Sequence, residues 1–333
     1  MSSTAAQSPA LSVVIPLLNE EAGLPLLFEK LYAALDALPL SYEVLFVDDG
    51  STDGSPALLH RQYAARPDVT RVLILARNVG QHMAILAAFT RARGTYVVTL
   101  DADMQNPPEE ITRIVAAMEE GADYVGTVRV RRNDAWWRRK ASRMLNALRK
   151  RTTRISITDQ GCMMRGYHRH IVEEINEGRE VSTFVPALGY ALAHNPVEID
   201  ISHAERAAGE SRYSLYKLIR LNFDLMTGFS VAPLQFFSMT GLITAVMSLG
   251  FVAYLALRRI FVGPEVEGVF TLFGITFFLL GVLLMGVGVV GEYVGRIYEQ
   301  VRQRPRFSIA TELGGDPAPA RIGPQASTMD LPR

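Results

Sequence analysis

The stretch VVTLDADMQNPPEE, Val97 to Glu110, sets two aspartates one residue apart directly behind a run of β-branched and apolar residues. The run up to Leu100 reads as a buried strand, and Pro108, Glu109 and Glu110 suit the first turn of a helix, where the dipole favours acids. That helix carries Ile111, Ile114, Val115 and Met118 at the i, i+3, i+4, i+7 spacing of one buried face, and Gly121 ends it. Strand, polar loop and helix together form the repeating unit of a parallel sheet.

The same unit recurs along the first half of the chain. LSVVIPL (11–17), YEVLFV (42–47), VTRVLIL (69–75), YVVTL (96–100) and DYVGTV (123–128) read as strands. The helix after the first carries Leu24, Leu27, Phe28, Leu31 and Leu35 on one face. The pattern predicts an α/β fold of the Rossmann-like kind over residues 11–202, with a mostly parallel sheet flanked by helices, after a flexible 1–10. In such sheets ligands bind beyond the carboxyl ends of the strands. PLLNEE, DDGSTDGS, ARNVGQ and DADMQ follow four strands in turn, and four polar strand ends point to one ligand site.

On an extended segment the carboxylates of Asp101 and Asp103, at i and i+2, leave one side of the chain and converge on one cation. Mg2+ or Mn2+ would complete its octahedral shell with water and the phosphate oxygens of a nucleotide. Taken alone, the spacing fits an Asx-type turn better, and the three companion loops shift the balance to metal. Asn19 and Glu20 lie where they reach the same nucleoside. Of Asp48 and Asp49, one faces a base or ribose and the other holds the turn at Gly50. Arg77, with Asn78 and Gly80, offers a cation and close backbone approach to a phosphate, or else an ordinary loop salt bridge.

Other residues carry bland readings. Cys162 is the only cysteine, so no intrachain disulfide exists, and no base partner marks it as a nucleophile. His168 and His170 are spaced like ligands on one strand face, but no further ligand cluster accompanies them in the sequence, and they read as structural.

The second half differs in composition. From Ala232 to Leu257 and from Val269 to Gly291 no residue is charged, and at about 1.5 Å per residue either stretch spans a hydrocarbon core of roughly 30 Å. Two transmembrane helices within 232–295 are expected. The N-terminal MSSTAAQSPA has neither a basic nor an apolar region of a signal, so residues 1–230 are expected in the cytoplasm. Arg206, Arg212, Lys217 and Arg220 before the first span, and Arg296, Arg302, Arg304 and Arg306 after the second, place both termini there too, against Arg258 and Arg259 in the connecting loop. Net charge is zero, which gives no reason to expect a nucleic-acid partner.

Residues 134–160 are strongly basic, and Trp136 and Trp137 there either anchor at an interface or pack. Within 203–231, HAERAAGESRYS is followed by LYKLIRLNFDLMTGF, an interfacial helix or an amphipathic linker. Gly286, Gly288, Gly291 and Gly295 suit close helix packing or subunit association. Residues 296–333 form a cytoplasmic tail, and after Phe307 its Pro, Gly and Ala content predicts disorder.

Taken in order, PLLNEE, VDDGSTDGS, ARNVGQH, DADMQNPPEE, DQGCMMRGY, HAERAAGESRYS and GVVGEYVGRIYE resemble the family-2 glycosyltransferases of GT-A fold that load a sugar onto a polyprenyl phosphate, from about residue 11 to 307. NVGQH, LDADMQNPPEEI, VGTVR, GCMMR, STFVP, HAER and GESRYS are most similar to the branch that moves 4-deoxy-4-formamido-L-arabinose from its UDP donor to undecaprenyl phosphate, for lipid A modification and polymyxin resistance. Branches using UDP-glucose, UDP-N-acetylglucosamine or GDP-mannose share most of these stretches.

The resemblance implies an inverting, metal-dependent enzyme at the bacterial inner membrane, tetrameric in some relatives. It implies a metal and diphosphate site at Asp101, Asp103 and Gln105, a nucleoside pocket at Pro16, Asn19, Glu20 and Asp49, and Asp159 at the position of a catalytic base. Arg129 and Arg138 fall where relatives receive the acceptor phosphate. Arg206 and Arg212 fall where they place cations near donor or acceptor phosphates; the second is lysine in many relatives. Two other classes compete: a processive synthase, which would need more spans and a Gln-x-x-Arg-Trp motif absent here, and an inactive lipid-binding scaffold, which has no use for intact Asp101, Asp103 and Asp159.

Overall fold

In a computed structural model the described residues are 8–129, 157–159, 161–178, 184–202, 231–261, 263, 269–302 and 306–315. Arg138, Arg206, Arg212, Trp136, Trp137 and the stretch LYKLIRLNFDLMTGF expected as an interfacial helix lie outside them.

An eight-stranded sheet in the order β7-β5-β6-β4-β1-β2-β3-β8 organises the domain. Its strands are β1 (Leu11–Leu17), β2 (Tyr42–Asp48), β3 (Thr70–Leu75), β4 (Tyr96–Thr99), β5 (Tyr124–Arg129), β6 (Arg165–His168), β7 (Pro196–Ile201) and β8 (Ile309–Leu313). β1 to β4 are mutually parallel, β5 runs parallel to β7, and β6 and β8 are antiparallel to their neighbours. The five strands expected from sequence are all present, each within a residue or two of its expected bounds.

Helices α1 (Leu24–Asp36), α2 (Ser55–Ala65), α3 (Gln81–Phe89), α4 (Ile111–Glu119), α5 (Arg169–Glu177) and α6 (Val185–Leu192) accompany the sheet. Leu24, Leu27, Leu31 and Leu35 of α1 and Ile111, Ile114, Val115 and Met118 of α4 bury with Val13, Ile15 and Phe46 in one core. A second core joins Ala84 to Phe89 of α3 to Val14, Leu45, Leu73, Tyr167 and Val172. Every residue of β1 is buried, as expected of a strand covered on both faces. After β1 the chain fills β2 and β3 on one side, then crosses back to β4 on the other. This reversal opens a crevice beyond the carboxyl ends of β1 and β4.

Both uncharged stretches form long helices, α7 (Ala232–Phe261) and α8 (Val269–Arg302). Phe236, Leu242, Met247, Phe277, Phe278 and Leu284 stand exposed along them, far more apolar surface than a water-soluble domain leaves open. The hydroxyls of Ser238, Thr240, Thr244 and Thr276 donate to the carbonyl four residues back and present little unsatisfied polarity outward. Among the described residues Ile275–Tyr298 is long and apolar enough to cross a membrane, and Leu234–Thr244 is a shorter apolar stretch. Gly286 is buried where a Cβ would collide with the Phe237 ring of α7, whereas Gly288, Gly291 and Gly295 meet nothing. Close packing therefore holds for one of the four glycines within this chain.

The expectation of a disordered tail after Phe307 fails for residues 309–313. They form β8, paired antiparallel with β3. Glu312 on β8 accepts from Arg71 of β3 (3.3 Å) and from Arg91 (3.1 Å), and Arg71 also meets the buried Glu43 at 3.1 Å. Five residues in a Pro- and Gly-rich tail give too weak a local signal; the ion pairs and the open edge of β3 place the strand.

Candidate active site

The four polar strand ends are stitched together in order. Asn19, at the end of β1 with φ of 55°, accepts from the Thr52 backbone N–H at 2.8 Å, and its own N–H donates to Ser51 Oγ at 2.8 Å. Glu20 N–H donates to Ser55 Oγ at 3.0 Å. These bonds fix the β1 loop on the β2 loop. Asp49 then accepts from the N–H groups of Val79 and Gly80, both at 2.8 Å, and so shapes the β3 loop. Gln81 Nε2 donates to Asp101 Oδ1 at 2.7 Å and closes the series on the β4 loop.

Within the β2 loop Asp48 holds the turn, its Oδ1 accepting from Ser51 N–H at 3.2 Å, while its buried Oδ2 has no partner among the described residues. Burial pushes the Asp48 carboxyl up. Gly50 has φ of +76°, and a Cβ there would lie 2.8 Å from the backbone of Arg77 and Asn78. Pro16 is buried inside β1 opposite Val47, and the Arg77 side chain is exposed at the rim.

One geometric expectation is corrected. Asp101 and Asp103 do not lie on an extended segment: β4 stops at Thr99 and the pair occupies the turn beyond it, with Met104 at φ of 60°. Asp103 Oδ1 accepts from Gln105 N–H at 3.1 Å, an Asx-type bond. Burial first and the Asp103 charge second raise the Asp101 carboxyl to about 6, so the two carboxylates feel one another across the turn. Asp101, Asp103 and Gln105 are close neighbours in this turn and carry the oxygen donors that a divalent cation takes, and such an ion would relieve the raised Asp101 pKa.

Asp159, only 3% exposed, faces the same region from the segment before β6. Arg129, the last residue of β5, donates to it in fork geometry, Nε to Oδ2 at 2.7 Å and Nη2 to Oδ1 at 2.9 Å. Gly161 N–H adds a third bond at 3.1 Å, and a Cβ on Gly161 would sit 2.7 Å from Arg129 Nη2. The residues expected as base and as acceptor cation are thus partners, and the Arg129 charge also acts on Asp101, lowering its pKa.

Two further residues escaped the sequence reading. Arg165, fully buried, donates to Tyr124 Oη (2.6 Å), the Cys162 carbonyl (2.9 Å) and the Asp159 carbonyl (2.5 Å), placing a fixed positive charge beneath the site. An arginine at the start of the short strand Arg-Gly-Tyr-His gives no sign of pointing inward. His82, beside Gln81, packs against Phe184 with ring centroids 5.0 Å apart, and burial followed by Arg165 pushes its pKa down to about 4. Its imidazole is neutral at physiological pH. Cys162 is buried with its Sγ 3.0 Å from Thr127 Oγ1, and burial raises the thiol pKa, in keeping with an inert thiol.

The strand-end loops, with their acidic turn and a buried carboxylate held by arginine, are the candidate site of a transferase. The family model for glycosyl transferase family 2 matches residues 12–176. The chain belongs to that family. It is 46% identical over 301 residues to the undecaprenyl-phosphate 4-deoxy-4-formamido-L-arabinose transferase of Edwardsiella ictaluri, covering 90% of this chain and 92% of that one. A protein of the same name from Shewanella sediminis is 47% identical over 308 residues, covering 92% and 93%. Among solved structures, glucosyl-3-phosphoglycerate synthase from Mycobacterium tuberculosis in complex with uridine-diphosphate shows 17% identity and a TM-score of 0.47 over 66% of this chain and 79% of that one.

Proposed function

We propose that the protein transfers 4-deoxy-4-formamido-L-arabinose from its UDP donor to undecaprenyl phosphate at the cytoplasmic face of the bacterial inner membrane, with inversion, for lipid A modification and polymyxin resistance. The observation that carries this reading is the 46% identity over nine-tenths of both chains to a transferase of that name, combined with an intact Asp101, Asp103 and Asp159 constellation.

The hydrogen-bonded strand-end loops support the following roles, which the family resemblance suggests. Pro16, Asn19, Glu20, Asp49 and Arg77 frame the nucleoside diphosphate. Asp101, Asp103 and Gln105 would hold Mg2+ or Mn2+, which when bound stabilises negative charge on the departing diphosphate. Gln81 orients Asp101 by its hydrogen bond. The acceptor phosphate is ionised at neutral pH, so attack on the anomeric carbon needs no strong base. Asp159 is held by a bidentate guanidinium and a backbone N–H. Its role is to fix Arg129, whose remaining N–H groups receive the acceptor phosphate, with Arg138, Arg206 and Arg212 supplying further positive charge.

The acceptor also accounts for α7 and α8. Moving a polyprenyl chain out of the bilayer costs about 0.8 kcal/mol per methylene, so the site must come to the membrane surface. β8 follows α8 and pairs with β3, which returns the chain to the side of the catalytic domain. That return supports a two-span hairpin with both ends on the cytoplasmic side. The test is a donor panel with undecaprenyl phosphate and Mg2+ or Mn2+, read by mass spectrometry of the lipid. A formamido-arabinose lipid is expected; a hexose lipid as sole product would keep the family and overturn the sugar.

A further inference from the structure

His168 and His170 have companions that the sequence hides. His170, the second residue of α5, directs Nε2 to Asp123 Oδ2 at 3.7 Å, and His194, in the loop between α6 and β7, directs Nδ1 to the same oxygen at 3.7 Å. One ligand atom from each of Asp123, His170 and His194 lies within 4.8 Å of the others. Both contacts are too long for hydrogen bonds. A tetrahedral ion with bonds of about 2.1 Å sets its ligands about 3.4 Å apart, so the two 3.7 Å pairs need to contract by a few tenths of an ångström and the two imidazoles, within 4.8 Å of each other, by up to about 1.4 Å, a movement the exposed His194 ring can make.

The surroundings hold these groups as an outer shell holds ligands. Asp123 is fixed by the backbone N–H groups of His194 (2.7 Å) and Asn195 (2.9 Å), and Asn195 Nδ2 donates to the Gly121 carbonyl at 3.0 Å. The other ring nitrogen of His170, Nδ1, lies 2.8 Å from His168 Nδ1. With the His170 proton on Nδ1 and donated to His168, its Nε2 lone pair is left for an ion shared with the Asp123 carboxylate, the arrangement that orients ligating imidazoles. His194 is exposed, which leaves an open side for water as a fourth ligand.

We propose that Asp123, His170 and His194 form a second metal site, for Zn2+ or a similar imidazole-preferring divalent ion, separate from the oxygen-rich catalytic site. Asp123 precedes β5 and His168 ends the antiparallel β6, so the cluster sits at the pole of the sheet away from Asp101, about 20 Å distant at roughly 3.3 Å per residue of β5. The ion joins the start of β5, the first turn of α5 and the loop before β7. Its role is structural: it clamps the half of the sheet that carries Arg129 and Asp159.

The experiment uses the full-length protein in detergent, freed of any polyhistidine tag, with Mn2+ saturating the catalytic carboxylates and a fluorescent chelator competing for Zn2+. One Zn2+ per chain is expected to be retained. His194→Ala and His170→Gln should each weaken retention by at least the roughly 10- to 100-fold that loss of an outer-shell partner costs, while Asp101→Asn leaves it unchanged. Co2+ in place of Zn2+ should give the visible absorption of a four-coordinate nitrogen and oxygen site, lost in His194→Ala. Undiminished retention in both histidine variants, or no retained Zn2+ in the parent, would overturn the proposal. Because His194 is exposed and outside the transfer site, unchanged transferase activity in His194→Ala would show that the variant is folded.

Discussion

Replacing Asp101 by Asn tests the metal site through stability as well as rate. Burial and the Asp103 charge hold the Asp101 carboxyl at about 6, whereas in an unfolded chain it titrates near 4. Between those values the folded protein binds the extra proton, so stability falls as pH rises from about 4 to about 6, and the deficit is complete above that. Two units at about 1.4 kcal/mol each give an upper bound near 3 kcal/mol, and the residue's partial exposure brings the expectation to about 1–3 kcal/mol. Asparagine removes the titration. In chelator at about pH 7.5 the Asp101→Asn protein should therefore be more stable than the parent by that amount, with the gap closing below about pH 4. Saturating Mn2+ should reverse the order, because an ion at 100 times its dissociation constant adds about 2.7 kcal/mol to the parent alone. Denaturant unfolding in detergent, with and without Mn2+ at two pH values, measures this. A less stable Asp101→Asn protein in chelator at the higher pH, or equal stabilisation of both proteins by Mn2+, would refute the reasoning.

A double-mutant cycle separates the two roles of Asp159. If it fixes Arg129, Asp159→Asn and Arg129→Gln should each lower kcat/KM about 10- to 100-fold, the pair little more than either, and Asp101→Ala should lose more. Additive losses, or an Asp159→Asn loss equal to that of Asp101→Ala at saturating metal, would restore a base role. Gly50→Ala forces a left-handed residue costing about 1–2 kcal/mol and presses a methyl against the Arg77–Asn78 backbone. The β3 loop should shift and donor KM rise about tenfold or more, and a KM within twofold of the parent would contradict the stitched-loop picture. Glu312→Ala strips two arginines of a partner and should cost about 1–3 kcal/mol of local stability. Hydrogen exchange should accelerate in β8 and β3 with β1 unaffected, and uniform exchange across the sheet would argue against a local docking role.

Much of the catalytic half could be read from local pattern. The alternation of apolar runs with 3.6-period helices placed β1 to β5, and the polar residues at four strand ends marked the crevice that their hydrogen bonds now join. Local pattern could not show what distant segments do to one another. Asp49 shapes a loop 30 residues away, and Asp123 meets His194 71 residues later, links set only by the order of strands in the sheet. Arg165 was missed because buried and exposed arginines look alike in sequence, and its depth depends on Tyr124 and the Asp159 carbonyl receiving it. The extended reading of Asp101 and Asp103 failed because β4 ends at Thr99, before either aspartate, and the chain turns through them to a left-handed Met104.

β8 also imposes an order on biogenesis. Arg71 and Glu312 are 241 residues apart, so β3 remains an open edge for the whole time the ribosome takes to make the intervening chain, on the order of ten seconds or more at bacterial speeds. An unpaired edge is a site for faulty strand pairing, and here the strand that closes it emerges only after both long apolar helices. The sheet therefore reaches its final form only after α7 and α8 have been made. A chain truncated before Ile309 keeps that edge exposed to chaperones and proteases, so completion of the catalytic domain waits on synthesis of both long apolar helices.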